Sequence, residues 1–480
     1  MKIELMVDRF NSFENKYELF DMNIEGFSVW PYIRFEMYFA IGNFFHITNG
    51  VGSTPKSKFK DVALMLWNTF IANPSRTIKG HDVLIIPHQR RVLEGKEYKC
   101  IYTDELATEL PYSCVSAEFL FGRIHFRPAK TKNLVYLDGV DVWPAIKYKL
   151  TRKKIDRFRP FASTLSESIK EFFHVEVDTE YISGLICKKY YWHRYKKPIV
   201  QKFLNRVKPR VIIELVGYET NKMIINEVAQ ELSIPCIELQ HGVIGRGHIA
   251  YNYQLNQKLK QMPTHLFVYS SYWKETCSFP IERDAIIPTG FPYMEEQIEK
   301  YLPKVGNKEI RIIIFSSTDH TEFIRDFAEE IIRIMDHLKL EYEIIYKLHP
   351  LEYNYDSSTW SRIKASKNVR FINNSNHSLY ELCSEANVQI GVKTTAVFEG
   401  LSYGLKTFVL HSGAPDIDLY MGDLIERGYA MYVRTAQEFV DQLTNSFRTG
   451  EITCTERGAF FENHSLLNMK REIDKIVSVK

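Results

Sequence analysis

Short apolar runs, each ending in a polar or glycine-rich cluster and separated by longer amphipathic stretches, recur from His81 to Leu410. Runs of this length, rich in Ile, Val and Tyr, are too short for helices and predict buried strands. In the first half, His81 to Pro87 predicts a strand ending at His88-Gln89-Arg90-Arg91. Asn133 to Leu137 predicts a second, ending at an Asp138-Gly139 turn. Lys208 to Val216 opens into Gly217-Tyr218-Glu219-Thr220-Asn221, a helix follows to about Leu232, and Pro235 to Leu239 is the next strand, which together make a βαβ crossover. Thr264 to Ser271 is a further strand. In the second half, strands are predicted over Ile310–Phe315, Glu341–Leu348, Asn387–Lys393 and Lys406–Leu410, with Gly404 closing the helix before the last. Strands alternating with helices predict an α/β protein with parallel sheets.

Ligands bind at the carboxyl ends of strands in such sheets. Two of these ends carry groups able to hold an anion. Lys347 and His349 are two residues apart and project to the same side of a strand, where they can contact a diphosphate or protonate a departing phosphate. Thr394 and Thr395 stand where a strand meets a helix, whose exposed amides and dipole favour an anion. Glu399 lies four residues after Thr395, on the same helix face. A capping box would require the acid three residues after the cap, where Val397 and Phe398 stand. The plainer readings are a turn at His349-Pro350 and an ordinary threonine N-cap.

The Lys-Leu-His-Pro strand end, followed by a strand, paired threonines and a helix with Glu399 and Gly404, resembles the C-terminal half of GT-B glycosyltransferases. The similarity is to bacterial enzymes of surface-polysaccharide assembly: the capsule, sialic-acid and Kdo transferases and the teichoic-acid glycerophosphotransferases. It covers roughly residues 205 to 450. It implies that His349, Thr394 and Thr395 hold the donor phosphates and that Glu399 binds the ribose. It also implies the fold, GT-B, with two Rossmann-like domains facing a central cleft. The expected boundaries are 1–290 for an acceptor-binding domain with aromatic and basic insertions, 291–308 for a hinge, 309–455 for a donor-binding domain and 456–480 for a C-terminal helix.

Gln240-His241-Gly242 ends the crossover and leads into a glycine-rich loop with Arg246 and His248. It is similar to the His-Gly loop of those transferases, where the histidine faces the acceptor. A near-neutral imidazole suits removal of a hydroxyl proton, so His241 is the expected general base and His349 its catalytic counterpart on the donor. Gln240, Gly242, Arg246 and His248 are the expected acceptor contacts. The plainer reading of His241 is a residue that holds its loop together. Thr289-Gly290-Phe291-Pro292 resembles the element leading from one GT-B domain into the other. Gly290, with Ser316 and Ser317 after the first strand of the second domain, joins the expected donor contacts, although those serines also suit helix capping.

Composition narrows the class. Four hundred and eighty residues exceed one core, and 45% hydrophobic with 25% charged residues is ordinary for a soluble globular protein. A net charge of +3 does not argue for nucleic acid, and no binding motif accompanies it. Seven scattered cysteines without a C-x-x-C pair read as reduced thiols. Met1-Lys2-Ile3-Glu4 does not read as a secretory signal, and no stretch is long and apolar enough to span a bilayer. The expected location is cytoplasmic, with peripheral contact at the inner face of the membrane as an alternative. Three features raise that alternative: the aromatic region from Phe27 to Phe45, the apolar Val62–Ile71, and the basic stretches Lys147–Lys154 and Lys188–Lys197. Packing within the chain's own domain and solvated helix faces are the plainer readings of the same residues. No Asp-x-Asp pair sits at a strand end, so neither an essential metal nor a cofactor is expected.

The expected reaction moves a sugar from a CMP-, CDP- or UDP-linked donor to a growing glycan or lipid-linked acceptor, with inversion. The alternatives are a CDP-polyol glycerophosphotransferase, a nucleotide-sugar 2-epimerase, and a non-catalytic scaffold of polysaccharide assembly.

Overall fold

The computed structural model of the chain describes residues 3–45, 47, 57–89, 91–151, 154–254, 258–304, 309–449 and 457–478. Counting only strands of the two large sheets, the first half supplies β1 (Val83–Ile86), β2 (Cys114–Glu118), β3 (Leu134–Tyr136), β4 (Val211–Glu214), β5 (Cys236–Leu239), β6 (His265–Val268) and β7 (Ile286–Pro288). They pair in the order β7-β6-β5-β4-β1-β2-β3, all parallel. The second half supplies β8 (Ile310–Phe315), β9 (Tyr342–Lys347), β10 (Val369–Ile372), β11 (Val388–Gly391), β12 (Lys406–Leu410) and β13 (Met431–Val433). Their order is β10-β9-β8-β11-β12-β13, again all parallel. Strand order reverses between β1 and β4 in one sheet and between β8 and β11 in the other, which makes each a doubly wound Rossmann-like unit. The two units form the GT-B fold.

Strands covered on both faces are apolar at nearly every position, as β1, β4 and β5 are, and every residue of these three is buried. The exceptions, Glu214 and Glu238, are taken up below.

The aromatic N-terminal region belongs to this core. Helix Val29–Gly42 buries Trp30, Tyr32, Ile33, Met37, Tyr38 and Ile41. Its Arg34 is also buried, with a guanidinium that reaches both oxygens of Glu14 at 2.6 and 2.9 Å, Asn11 Oδ1 at 2.9 Å, and the carbonyls of Ile249 and Asn252. This planar fork pins the N-terminal helices to the segment that follows the His241 loop.

Several local expectations change in three dimensions. Asp138-Gly139 is the start of helix Asp138–Leu150 rather than a turn. Asp138 is fully buried, accepting from Asn68 Nδ2 at 2.9 Å and meeting His125 Nε2 at 2.7 Å, while His125 Nδ1 meets Glu118 at 2.7 Å. Burial pulls the His125 pKa down, but the hydrogen bonds to Asp138 and Glu118 outweigh it and hold the imidazole above its ordinary value. The Lys188–Lys197 stretch lies on helix Thr179–Val207 and is engaged within its own domain: Lys189 pairs with Glu36, Lys196 with Asp141, and Lys197 with Glu227 and Glu231. The expected hinge is largely helix Pro292–Lys300, and its residues 305–308 lie outside the described part of the chain, as do Arg90, Arg152, Lys153 and Cys454. Helix Ser465–Ser478 returns to the first domain, where Met469, Ile473 and Val477 pack beside Val83, Ile85 and Val211. The Glu295 carboxylate caps it through the amides of His464 and Ser465 at 2.7 and 2.9 Å. Among the described residues no helix is long and apolar enough to cross a membrane.

Removing one partner of a buried, hydrogen-bonded ion pair strands the other charge, at a cost of about 3–5 kcal/mol. Arg34→Met is therefore expected to lower the unfolding free energy by about that amount, measured by denaturant titration, and to speed proteolysis within residues 241–253. A loss below about 1 kcal/mol would show that Arg34 does not anchor this region.

Candidate functional site

The carboxyl ends of β8, β9 and β11 meet at the reversal point of the second sheet. From β9, Lys347 turns its ammonium back to the Leu348 carbonyl at 2.9 Å and to the Tyr353 hydroxyl. Burial lowers its pKa to about 8. His349 caps the short turn that follows, its Nδ1 accepting from the Leu351 amide at 3.2 Å. A neutral His349 thus carries its proton on Nε2, which is the donor it can offer a ligand. Burial, with the neighbouring Lys347 charge, lowers its pKa, and Glu352 and Asp319 oppose that shift.

Glu352 holds this corner together and is fully buried. It accepts from Ser316 Oγ at 2.9 Å, Thr321 Oγ1 at 2.5 Å and the His349 amide at 2.8 Å. The Ser316 hydroxyl is thereby committed to Glu352, whereas Ser317 accepts from Thr321 through its carbonyl at 3.2 Å. From β11, Lys393 meets Asp319 at 3.3 Å, Thr394 caps helix Thr395–Leu401 through Ala396 N at 3.3 Å, and Thr395 is exposed. Glu399 accepts from Tyr380 at 2.9 Å, and burial raises its pKa to about 7. Burial raises the pKa of Tyr102 and Tyr269 and the Glu399 charge adds to it, so the carboxyl lies on the side of the first domain. Gly290 is not part of this corner: its φ is +91°, and a Cβ there would lie 2.3 Å from Ser465 Oγ, so the glycine admits the returning tail.

On the first domain, His241 follows β5. Tyr102 donates to its carbonyl at 2.8 Å, Tyr251 OH lies 3.3 Å from its Nδ1, and the His88 ring stacks at 6.1 Å. Gln240 holds the loop from within, donating to Gly242 O at 2.7 Å and accepting from Tyr269 N at 2.8 Å, while Gly242 faces open space. Arg246 reaches across to Asp423 of the second domain at 3.6 Å. His248 lies between Tyr218 and Tyr251, and burial lowers its pKa to about 4, so it is neutral near pH 7. These positions make Gln240 and His248 parts of the loop's support, with His241 at its front.

Beneath the loop stand two acids that sequence reasoning missed. Glu214 and Glu238 occupy paired positions of β4 and β5 and are fully buried. A Cβ on Gly217 would lie 2.6 Å from Glu238 Oε2 and 2.9 Å from Glu214 Oε1, so both carboxyls crowd one space and only glycine fits over them. Glu214 accepts from Asn226 at 2.7 Å, and Glu238 accepts from Tyr251 OH at 2.5 Å. Burial raises the pKa of both; for Glu214 the Glu238 charge adds to it, and Glu238 rises to about 7. Burial of both thus favours the protonated form of at least one of them near neutrality. Tyr251 joins it to His241: with its hydroxyl proton given to Glu238, its oxygen can accept from Nδ1–H, the tautomer that puts the imidazole lone pair on Nε2. The sequence did carry a signal, since Ile213-Glu214-Leu215 and Ile237-Glu238-Leu239 repeat an acid inside two strands otherwise wholly apolar.

The two faces meet through aromatic contacts. Trp273 lies 4.8 Å from Phe398 and Tyr293 lies 5.7 Å from Tyr380. Glu399 and the His241 loop therefore border the same interdomain region, both beside Tyr102. Among the described residues no group of three or more His, Cys, Asp or Glu is disposed to hold a metal ion.

Because the folded pKa values of Glu214 and Glu238 lie above their unfolded values, the folded state binds extra protons between about pH 4.5 and 7, and stability falls as pH rises through that window. Glu214→Gln keeps the shape and removes one of the two groups. The drop in melting temperature between pH 5.5 and pH 8 is expected to shrink by several degrees in this variant. An unchanged drop would show that the fold does not hold Glu214 protonated.

No protein-family model matches the chain, and no curated protein matches it. Solved structures do resemble it in shape. The UDP-GlcNAc 2-epimerase of Neisseria meningitidis bound to UDP-GlcNAc is 13% identical, with 82% of this chain and 99% of that one covered and a TM-score of 0.43. The UDP-GlcNAc 2-epimerase of Methanocaldococcus jannaschii is 11% identical over 83% and 99%, with a TM-score of 0.47. The calicheamicin glycosyltransferase is 11% identical over 84% and 99%, with a TM-score of 0.46.

Proposed function

We propose that the chain is a glycosyltransferase that binds a nucleotide sugar on its second domain and an acceptor hydroxyl on its first. The observation that supports this reading is that each domain carries its own strand-end site and the two are unlike: a cationic one at Lys347, His349 and Thr394, and one at His241 that presents an imidazole. In the transfer, His241 Nε2 takes the acceptor proton as the acceptor oxygen forms its bond to the anomeric carbon. The bond from that carbon to the nucleotide phosphate breaks, and Lys347 and the Nε2–H of His349 stabilise the charge left on the phosphate. Glu399, with a pKa of about 7, can donate to or accept from a ribose hydroxyl.

One observation favours a second reading. His88, His241, Tyr102 and Glu399 bring several titratable groups near one another, as a nucleotide-sugar 2-epimerase requires. An epimerase needs no acceptor, so product analysis with donor alone separates the two: an epimeric nucleotide sugar speaks for epimerisation, and product only with an added glycan or lipid-linked acceptor speaks for transfer.

Lys347 must be charged to hold a phosphate, and its pKa is about 8. Nucleotide affinity is therefore expected to fall as pH rises above about 8. A thermal-shift series with CMP, CDP, UDP, GDP and UDP-sugars should give a stabilisation for one base, lost in His349→Ala and made insensitive to pH above 8 in Lys347→Ala. No stabilisation by any nucleotide would remove the enzyme reading and favour a scaffold.

A further inference from the structure

Helix Phe59–Phe70 is inside out. Its buried residues are the polar Asn68 and Thr69, with Asn68 bonded to Asp138, while Phe59, Leu66, Trp67 and Phe70 are exposed, Phe59 at 88% and Trp67 at 56%. At 100° per residue, positions 59, 63, 66, 67 and 70 share one side, so the outward stripe is continuous. Helix Asp138–Leu150 lies against it, with the Phe70 and Trp143 rings 5.2 Å apart. It adds Trp143, Ile146 and Leu150 at helical spacing to the same surface, Leu150 at 83% exposure. A folded chain leaves so large an apolar face outward where something else covers it.

Among the described residues on and next to these two helices, the charges beside this face have one sign. Lys58, Lys60, Lys147 and Lys149 are exposed beside it. The acids on the same two helices are turned elsewhere: Asp61 accepts from the Lys58 amide at 2.7 Å, Asp138 is buried against His125, and Asp141 pairs with Lys196. Tryptophans amid aliphatic residues, ringed by lysines, match the boundary of a bilayer with anionic headgroups. A protein partner of ordinary surface would not select for lysine alone.

We propose that the paired helices Phe59–Phe70 and Asp138–Leu150 form a peripheral membrane-binding face that inserts its aromatic and aliphatic side chains at the surface of an anionic bilayer. The second helix starts at the carboxyl end of β3, the edge of the sheet that also carries the His241 loop, so membrane contact here brings lipid-borne molecules toward that edge. The inference stands apart from the transferase reading, because vesicle binding is measured without nucleotide.

The test is co-sedimentation of the full chain with vesicles of phosphatidylcholine containing phosphatidylglycerol, against phosphatidylcholine alone. Binding to the mixed vesicles only, weakened by salt, is expected. Lys60→Ala with Lys149→Ala should lower the partition coefficient by about tenfold or more. Trp67→Glu with Leu150→Glu should abolish binding with the melting temperature unchanged, since both side chains are exposed. Should that pair fail to fold, quenching of tryptophan fluorescence by brominated lipid, reduced in Trp67→Phe with Trp143→Phe, reports the same insertion. Absence of binding to either vesicle overturns the proposal. So does a lipid-free dimer that Trp67→Glu converts to monomer, which would make the face a contact between copies of this chain.

Discussion

Two carboxyl groups buried on neighbouring strands cannot both be ionised, and the first domain is arranged around that constraint. Glu214 and Glu238 sit at the last positions where β4 and β5 pair, in a layer otherwise filled by Ile, Val and Leu. The surrounding chain is shaped to hold them. Gly217 leaves them room, Asn226 binds one, and Tyr251 binds the other. Val216 adopts φ +58°, a left-handed conformation strained for a β-branched residue, to turn the chain above them. Strain and buried charge of this kind persist where the rest of the fold over-determines them. Here the support reaches outward through Tyr251 to His241, and on through Ile249 and Asn252 to Arg34.

The second domain solves the opposite problem, keeping positive charge available in a partly dry place. Glu352 is fully buried yet fully engaged, tying the ends of β8 and β9 and the start of helix Thr321–His337 into one corner. That leaves Lys347 with a lowered pKa and neutral partners, a state that gains from the arrival of a phosphate. In the proposed transfer the first domain manages a proton and the second an anion.

Much of the architecture was legible in the chain. The strands Ile310–Phe315 and Lys406–Leu410 stand where the apolar runs put them, because buried parallel strands have no polar face to blur their ends. Asp138 was misread because Asp-Gly is locally a turn signal, and only the fold brings His125 and Asn68 to it. Ser316 and Gln240 lie at the expected strand ends, but whether such a side chain faces a ligand or its own loop is set by partners distant in sequence, here Glu352 and Tyr269. The Glu214 and Glu238 pair depends on register between strands, which the repeated Ile-Glu-Leu only hints at. The outward stripe on Phe59–Phe70 was legible as apolar, but its direction was not, since that follows from Asn68 reaching Asp138.

The most direct test of the central claim is a crystal structure of the full chain with the nucleoside diphosphate that stabilises it most. The account predicts phosphate density beside Lys347, His349 Nε2 and Thr394, with the ribose toward Glu399 and the open end of the ligand facing His241. A nucleotide seated elsewhere, with those four donor-side residues untouched, would contradict it.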